Sequence, residues 1–223
     1  MLKLDLHIHS QYSDDAIGSP RDIIKSLKKE GLHGMAITDH NTVEGGLKAL
    51  KVAPKDFIVI PGTEISTADG HMIGLNVKED IPRGLSVEET IEKIIDVGGI
   101  AVAPHLFRNM SGIKKEKLKK IYTKIPAIEV YNSCSLPKTN IKTAQVAKEF
   151  DLGGTGGSDS HDLLYVGYAY TIVDSTDMTV DTILSEINKK KTWGEGIVMP
   201  LDYRRDRMLK SLKQFFQRGF KRI

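Results

Sequence analysis

The chain has 223 residues, 40% of them apolar, enough to bury one sizeable core and an ordinary length for a one-domain α/β barrel. Cys134 is the only cysteine, which excludes an intramolecular disulfide and a cysteine-rich zinc module and leaves nitrogen and oxygen as metal ligands. The net charge of +3 hides an acidic body and a basic tail, with eight basic against two acidic residues from Asp202 to Ile223. No apolar run approaches the roughly 18 residues of a membrane span and no secretory signal precedes the first strand, so a cytoplasmic location is expected.

Leu2 to Ile8 alternates Leu and Ile with Asp and His, as a half-covered strand does. Ser19-Pro20-Arg21-Asp22 has the spacing of a helix start, Ile23, Ile24 and Leu27 supply its buried face, and Gly31 its stop. Gly34 to Thr38 predicts a strand ending at Asp39, followed by a helical stretch over 42–50 that Gly45 and Gly46 weaken. Phe57 to Ile60 and His71 to Val77 predict further strands, and Ser86-Val-Glu-Glu89 a capping box with Gly98-Gly99 as the stop. Ile100 to Ala103 leads to His105, and Ala127 to Tyr131 to Asn132. A helix over 139–150 ends near Gly153-Gly154, where a turn is expected. A strand over 168–173, a helix over 179–190 and a basic amphipathic helix over 204–220 complete the chain.

Alternating strands and helices argue for parallel strands with helices outside. Seven strands suffice to close a barrel, and candidates on at least five loops favour closure over an open sheet, whose site forms at one switch point. The expected organisation is one barrel over 1–201 and a basic helix over 202–223.

Histidines and carboxylates fall where the apolar runs stop. His7 and His9 are two apart, so on a strand they face one side, roughly 6.5–7 Å from each other along it. Asp159 and His161 repeat that spacing, and Asp39-His40, Glu64 and His105 follow other runs. Each has a bland reading: a surface or core histidine pair, Asp39 as a capping residue, Glu64 as a solvated loop acid. Their joint occurrence on one barrel rim, where ligands bind, points instead to a cluster of divalent ions.

Asp5-Leu-His-Ile-His-Ser10 with Ser13-Asp14, Ile37-Thr-Asp-His40, Gly62-Thr-Glu64, Pro104-His105 and Gly157-Ser-Asp-Ser-His161 resemble, in order, the motifs of the PHP family, the polymerase and histidinol phosphatase superfamily of metal-dependent phosphoesterases. The resemblance spans residues 5 to 161 and implies a distorted seven-stranded (β/α) barrel. Position by position it implies one metal on His7, His9, Glu64 and Asp159, a second on Glu64, His105 and His71, and a third on Asp14, His40 and His161. His71 reads equally as a structural residue, and His33 as a capping or surface histidine. Two departures stand out: Pro104-His105 where the family has His-Pro, and Asp14-Asp15 where it has Asp-Gly, with Asp14 selected by spacing and Asp15 as its substitute.

Such ligands suit Zn²⁺, Mn²⁺ or Fe²⁺. Two or three ions would carry a bridging hydroxide that attacks a phosphate ester in line. Arg108, three residues past His105, is a phosphate clamp or a solvent-facing arginine, and Lys138 has a weaker claim of the same kind. His161 or Asp14 would protonate the leaving oxygen.

The compact rim between His71 and His105 favours a nucleotide or nucleic-acid ester. A histidinol-phosphate-like metabolite and a non-catalytic structural module are the alternatives. The basic tail either packs Met208, Leu212, Phe215 and Phe216 on the barrel with its charges in water, or docks on single-stranded nucleic acid or an anionic membrane. Tyr131, Asn132 and Cys134 would line the pocket, Cys134 as an incidental thiol, while Trp193, Tyr165, Tyr168 and Tyr170 are expected to pack.

Overall fold

In the computed structural model, which describes residues 1–217 and 219, the chain runs β1 (Leu2–Ile8), α1 (Pro20–Lys29), β2 (Gly34–Ile37), α2 (Glu44–Val52), β3 (Ile58–Thr67), β4 (Gly70–Leu75), α3 (Val87–Asp96) and β5 (Ile100–Ala103). It continues through α4 (Lys115–Ile121), β6 (Ala127–Asn132), α5 (Pro137–Glu149), β7 (Gly153–Gly157), β8 (Ala169–Val173), α6 (Val180–Asn188), β9 (Thr192–Gly196) and α7 (Leu201–Gln217). The helix starts read from the sequence are built by side-chain caps. Ser19 accepts from the Asp22 amide to open α1, and Ser86 and Glu89 form a complete capping box on α3. Thr179 accepts from the Thr182 amide to open α6. Each cap satisfies an amide that the helix leaves unpaired and is worth about 1 kcal/mol.

The nine strands among the described residues form one sheet in the order β7-β6-β5-β4-β3-β2-β1-β8-β9. The expectation of seven parallel strands is therefore corrected. β1-β2-β3 and β5-β6-β7 are parallel, while β3-β4, β4-β5, β1-β8 and β8-β9 are antiparallel. The sheet curls until its ends almost meet. Thr192 Oγ1 on β9 donates to Gly154 O on β7 (2.9 Å), and Thr171 Oγ1 on β8 accepts from the Gly156 amide (2.9 Å). The two extra strands are β7 and β9. β7 reads Gly-Gly-Thr-Gly-Gly, which as a sequence looks like a turn, yet it is fully buried and its backbone lies against β1. A Cβ at Gly157 would overlap the Cβ of His7, so the strand lacks side chains because a neighbour occupies their space.

Leu2, Leu4, Ile58, Ile60, Ile73, Leu75, Val102 and Ala127 meet Ile183, Leu184 and Ile187 of α6 in one buried cluster. Helix α6 thus plugs one end of the barrel, and the C-terminal strand ends at the other are left for the site. Outside the barrel, Ile91 and Ile94 of α3, Leu118 of α4 and Val146 of α5 cover one part of the sheet, and Ile23, Ile24 and Leu27 of α1 another.

Helix α7 reverses the expected packing of the tail. Met208 is 57% and Leu212 39% exposed, whereas Arg204 donates to Ser135 O, and Arg207 and Lys210 reach Asp15. The side chain of Phe215, together with Arg218 and residues 220–223 of the expected helix, lies outside the described part. Trp193 packs against the main core cluster, and Tyr165 meets Tyr168 edge to face and Tyr203 at a tilt, as expected of packing aromatics. No helix among the described residues is long and apolar enough to cross a membrane.

Candidate metal centre

Two strand irregularities aim side chains into the rim. On β1, one extra residue lies between Asp5 and Ile8 relative to β2. The alternation is re-phased there, so Leu2 and Leu4 face the barrel interior, Ile8 joins the cluster under α1, and His7 is released to the rim. On β6 the register shifts between Glu129 and Tyr131, which lets Glu129 and Asn132, three apart, bond each other at 2.9 Å. The chain after β7 then bridges Ile8 through Ser160, and the Asp159 amide donates to His7 O at 2.7 Å, bringing Asp159 beside the histidine pair.

Glu64 is the hub. Its Oε1 lies 2.8 Å from His71 Nδ1 and 2.7 Å from His105 Nε2. Its Oε2 lies 3.2 Å from His40 Nδ1, 3.3 Å from His9 Nε2 and 3.5 Å from His7 Nε2. Asp159 Oδ1 completes one side at 3.7 Å from His7 Nε2 and 3.5 Å from His9 Nε2, while its Oδ2 accepts from Arg108 at 2.6 Å. Asp15 closes the other side, with Oδ2 3.2 Å from His161 Nε2 and Oδ1 4.0 Å from His40 Nε2.

Surrounding acceptors fix the histidine tautomers. His7 Nδ1 must donate to the Glu129 carboxylate at 2.8 Å, and His161 Nδ1 to Asp159 O at 3.0 Å. The Ser13 hydroxyl donates to Asp39 Oδ1 (2.9 Å) and so offers only lone pairs to His9 Nδ1 at 3.3 Å. In its neutral form each of the three rings therefore turns an Nε2 lone pair towards the centre, the arrangement in which a histidine binds a metal. Asp39 acts from behind, accepting also from the amide and hydroxyl of Ser10 at 2.6 and 2.7 Å. Asp5 is likewise structural, accepting from the Ser158 and Gly167 amides, and burial pushes it up to about 7.

The donor set fits divalent ions. His40 Nδ1, His161 Nε2 and Asp15 Oδ1 are buried without a hydrogen-bond partner, though each faces another donor of the cluster. Burial opposes charge on His7, His9, His40, His105 and His161. Against it, Glu129, Asp159 and Glu64 hold His7 well above its usual range, and bonds to Asp159 and Glu64 hold His9 at about 9. His105 and His161 fall to about 4, burial first, with Arg108 or His9 adding to it. Protons thus collect on the pair facing most carboxylates, which is the place a cation would take. Four sets of three donors lie close enough to share an ion: His7-His9-Glu64, His7-His105-Asp159, His40-Glu64-His71 and His9-His40-His161.

Of the residues singled out, the structure brings together His7, His9, His40, Glu64, His71, His105, Asp159 and His161, with Arg108 beside them. It does not bring Asp14. That side chain is exposed, and the next residue, Asp15, turns inward to 4% exposure beside His161. Lys138 is exposed, and His33 accepts from the Lys3 amide away from the rim. Cys134 is half-buried near Asp159 O, and burial pushes its thiol up to about 12, far from the range of a nucleophile. Glu129 was hidden by its setting in Ala-Ile-Glu-Val-Tyr. Its one signal is that an acid amid a buried strand, on the same alternation as Ala127, demands a partner. At His105 and Asp159, φ is +29° and +54°, so left-handed backbone falls on two residues of the cluster.

The profile of the PHP domain family matches residues 5–153, and that of the PHP-associated family residues 137–192. The chain belongs to the PHP domain family. As a PHP protein it is a phosphoester hydrolase, the class its motifs imply. An uncharacterised protein of Methanocaldococcus jannaschii is 43% identical over 144 residues, 59% of this chain and 82% of that one. A 5'-3' exoribonuclease of Haemophilus influenzae is 34% identical over 87 residues, 36% of this chain and 31% of that protein. In fold, the PHP chain resembles a two-domain protein of Bacteroides vulgatus containing a predicted PHP-like metal-dependent phosphoesterase, with TM-score 0.75 and 17% identity over 94% of this chain and 69% of that one.

Proposed function

We propose that the PHP chain hydrolyses a phosphoester of a nucleotide or of a nucleic-acid end, using two or three divalent ions held by His7, His9, Asp15, His40, Glu64, His71, His105, Asp159 and His161. The observation that carries this reading is the convergence of six imidazoles on Glu64 and its two flanking aspartates. Ions there would lower the proton affinity of water and neutralise charge on a phosphate under attack.

The chain's own residues supply the rest. Glu129, Ser13 and the Asp159 carbonyl hold three rings in the donor tautomer. Arg108, tied to Asp159 Oδ2 and to Asn132 Oδ1 at 3.1 Å, has a side chain 32% exposed, so its remaining N–H groups face an incoming phosphate. With Nδ1–H fixed on Asp159 O, His161 turns an Nε2 lone pair to the site and has no proton there to give, so a water polarised at that site would hand the proton to the leaving oxygen. Asp14 does not fill that role, since it points to solvent. The nucleic-acid preference draws on the exoribonuclease likeness and on the basic surface beside Arg108.

A screen of nucleotides, dinucleotides and phosphorylated metabolites with Mn²⁺ and Zn²⁺ tests the reading. Metal-dependent release of phosphate or of a nucleotide is expected, and its loss together with bound metal in His9→Ala and Asp159→Asn. Turnover unaffected by both substitutions contradicts it.

A further inference from the structure

The loop from His105 to Gly112 folds back on itself, with the Arg108 amide donating to His105 O and the Gly112 amide to Arg108 O. Its far side opens into a groove of about 890 Å³ that the metal cluster does not account for. Arg108, Lys114, Lys115, Lys117, Lys120 and Lys142 line it, against Asp69 and Glu116. Asp69 is already paired with Lys117, and Lys115 with Glu149. Lys114 and Lys120 are exposed and have no carboxylate partner among the described residues, and the Lys142 ammonium sits 3.8 Å from the ring centroid of Phe107. So many cations gathered on one concave face repel one another, an arrangement that an anionic ligand relieves.

Arg108 belongs to both places. It lines the groove and also donates to Asp159 in the metal cluster. A ligand with one phosphate at the cluster and further charge along the groove matches this layout, and a chain of phosphodiesters has charges at such regular intervals. We propose that this groove is the binding track for a single-stranded polynucleotide whose terminal phosphoester lies at the metal cluster. The inference rests on the hydrolase reading for the position of the end, and on the groove's own charges for the rest of the strand. Lys114, Lys120 and Lys142 contact successive backbone phosphates, while Met110, half exposed on the rim, gives the bases an apolar contact.

The test is binding without turnover. A fluorescein-labelled single-stranded 12-nucleotide RNA is titrated with the full chain in EDTA, and anisotropy is read at several salt concentrations. Lys120→Glu/Lys142→Glu should bind at least 10-fold more weakly, and its log K against log salt should flatten by about 1.4, at roughly 0.7 per lost phosphate contact. Lys25→Glu/Lys51→Glu, on α1 and α2, carries the same change of net charge outside the groove and should bind as the parent does. Equal weakening in both double variants overturns the proposal, as does tighter binding to phosphatidylglycerol vesicles than to RNA with the same lysine dependence. Groove-dependent binding with no metal-dependent cleavage sinks the hydrolase reading alone. Cleavage of small phosphate esters without groove-dependent RNA binding sinks the track alone.

Discussion

Glu129 Oε1 lies 2.8 Å from His7 Nδ1, and its other oxygen accepts from the His105 amide, also at 2.8 Å. One carboxylate on β6 therefore sets the ring of one proposed ligand and the backbone of another. Removing an acceptor behind a metal-bound histidine typically costs 10–100-fold in affinity. Glu129→Ala should weaken Mn²⁺ or Zn²⁺ binding by about that factor in calorimetric titration. An unchanged affinity would show that His7 is oriented by other contacts.

The adjacent pair Asp14 and Asp15 separates by role. Asp15 faces His161 and His40, while Asp14 faces water. Asp15→Asn should lower bound metal by one equivalent in elemental analysis of dialysed protein, and Asp14→Asn should match the parent. The opposite pattern would return the third site to Asp14.

At Gly157 there is no room for a methyl group beside His7. Gly157→Ala should cost about 1–3 kcal/mol by overpacking, seen as a lower Tm in thermal unfolding. A Tm equal to the parent's would mean that β1 and β7 separate freely.

The Cys134 thiol, pushed up to about 12 by burial, stays protonated at pH 8. Because the thiolate is the reactive form, iodoacetamide should label it more than about 100-fold more slowly than a free cysteine of pKa ~8.5, with the rate still rising through pH 10. Cys134→Ser should keep phosphoesterase turnover. Fast labelling at pH 8 contradicts the half-buried, neutral thiol.

The α3 cap gives a stability test. Glu89 is held below the usual carboxylate range, by the Ser86 hydroxyl first. A lowered acid pKa stabilises the fold above the ordinary carboxylate value, and that share is lost as pH falls through the folded one. Ser86→Ala should cost about 1 kcal/mol near pH 7, by chemical denaturation. The cost should shrink in acid, and a cost that grows there would contradict the sign.

Much of this was legible in the residues. Ser19 and Ser86 announced their helices because capping is local chemistry, and the seven strand runs with apolar character all became strands. β7 and β9 escaped because their glycines reflect close backbone approach to distant neighbours, which no local pattern records. The rim positions of His7 and Asp159 were readable, whereas Glu64, expected just past a strand that stops at Ile60, lies inside the longer β3. The choice between Asp14 and Asp15 was not readable, since it depends on the turn after Ser13. Glu129 was missed because its significance comes from a bulge that places it under His7. The α7 stripe misled because its amphipathic period says which face is apolar but not which face meets the barrel.

On the proposed reading, these imidazoles and carboxylates hold several divalent ions around Glu64. Anomalous diffraction from crystals grown with Mn²⁺ tests it most directly. Two peaks are predicted beside the Glu64 carboxylate, with a third, where that site is filled, near Asp15, His40 and His161. Crystals with no anomalous peak within ligand distance of Glu64, at saturating Mn²⁺, would contradict it.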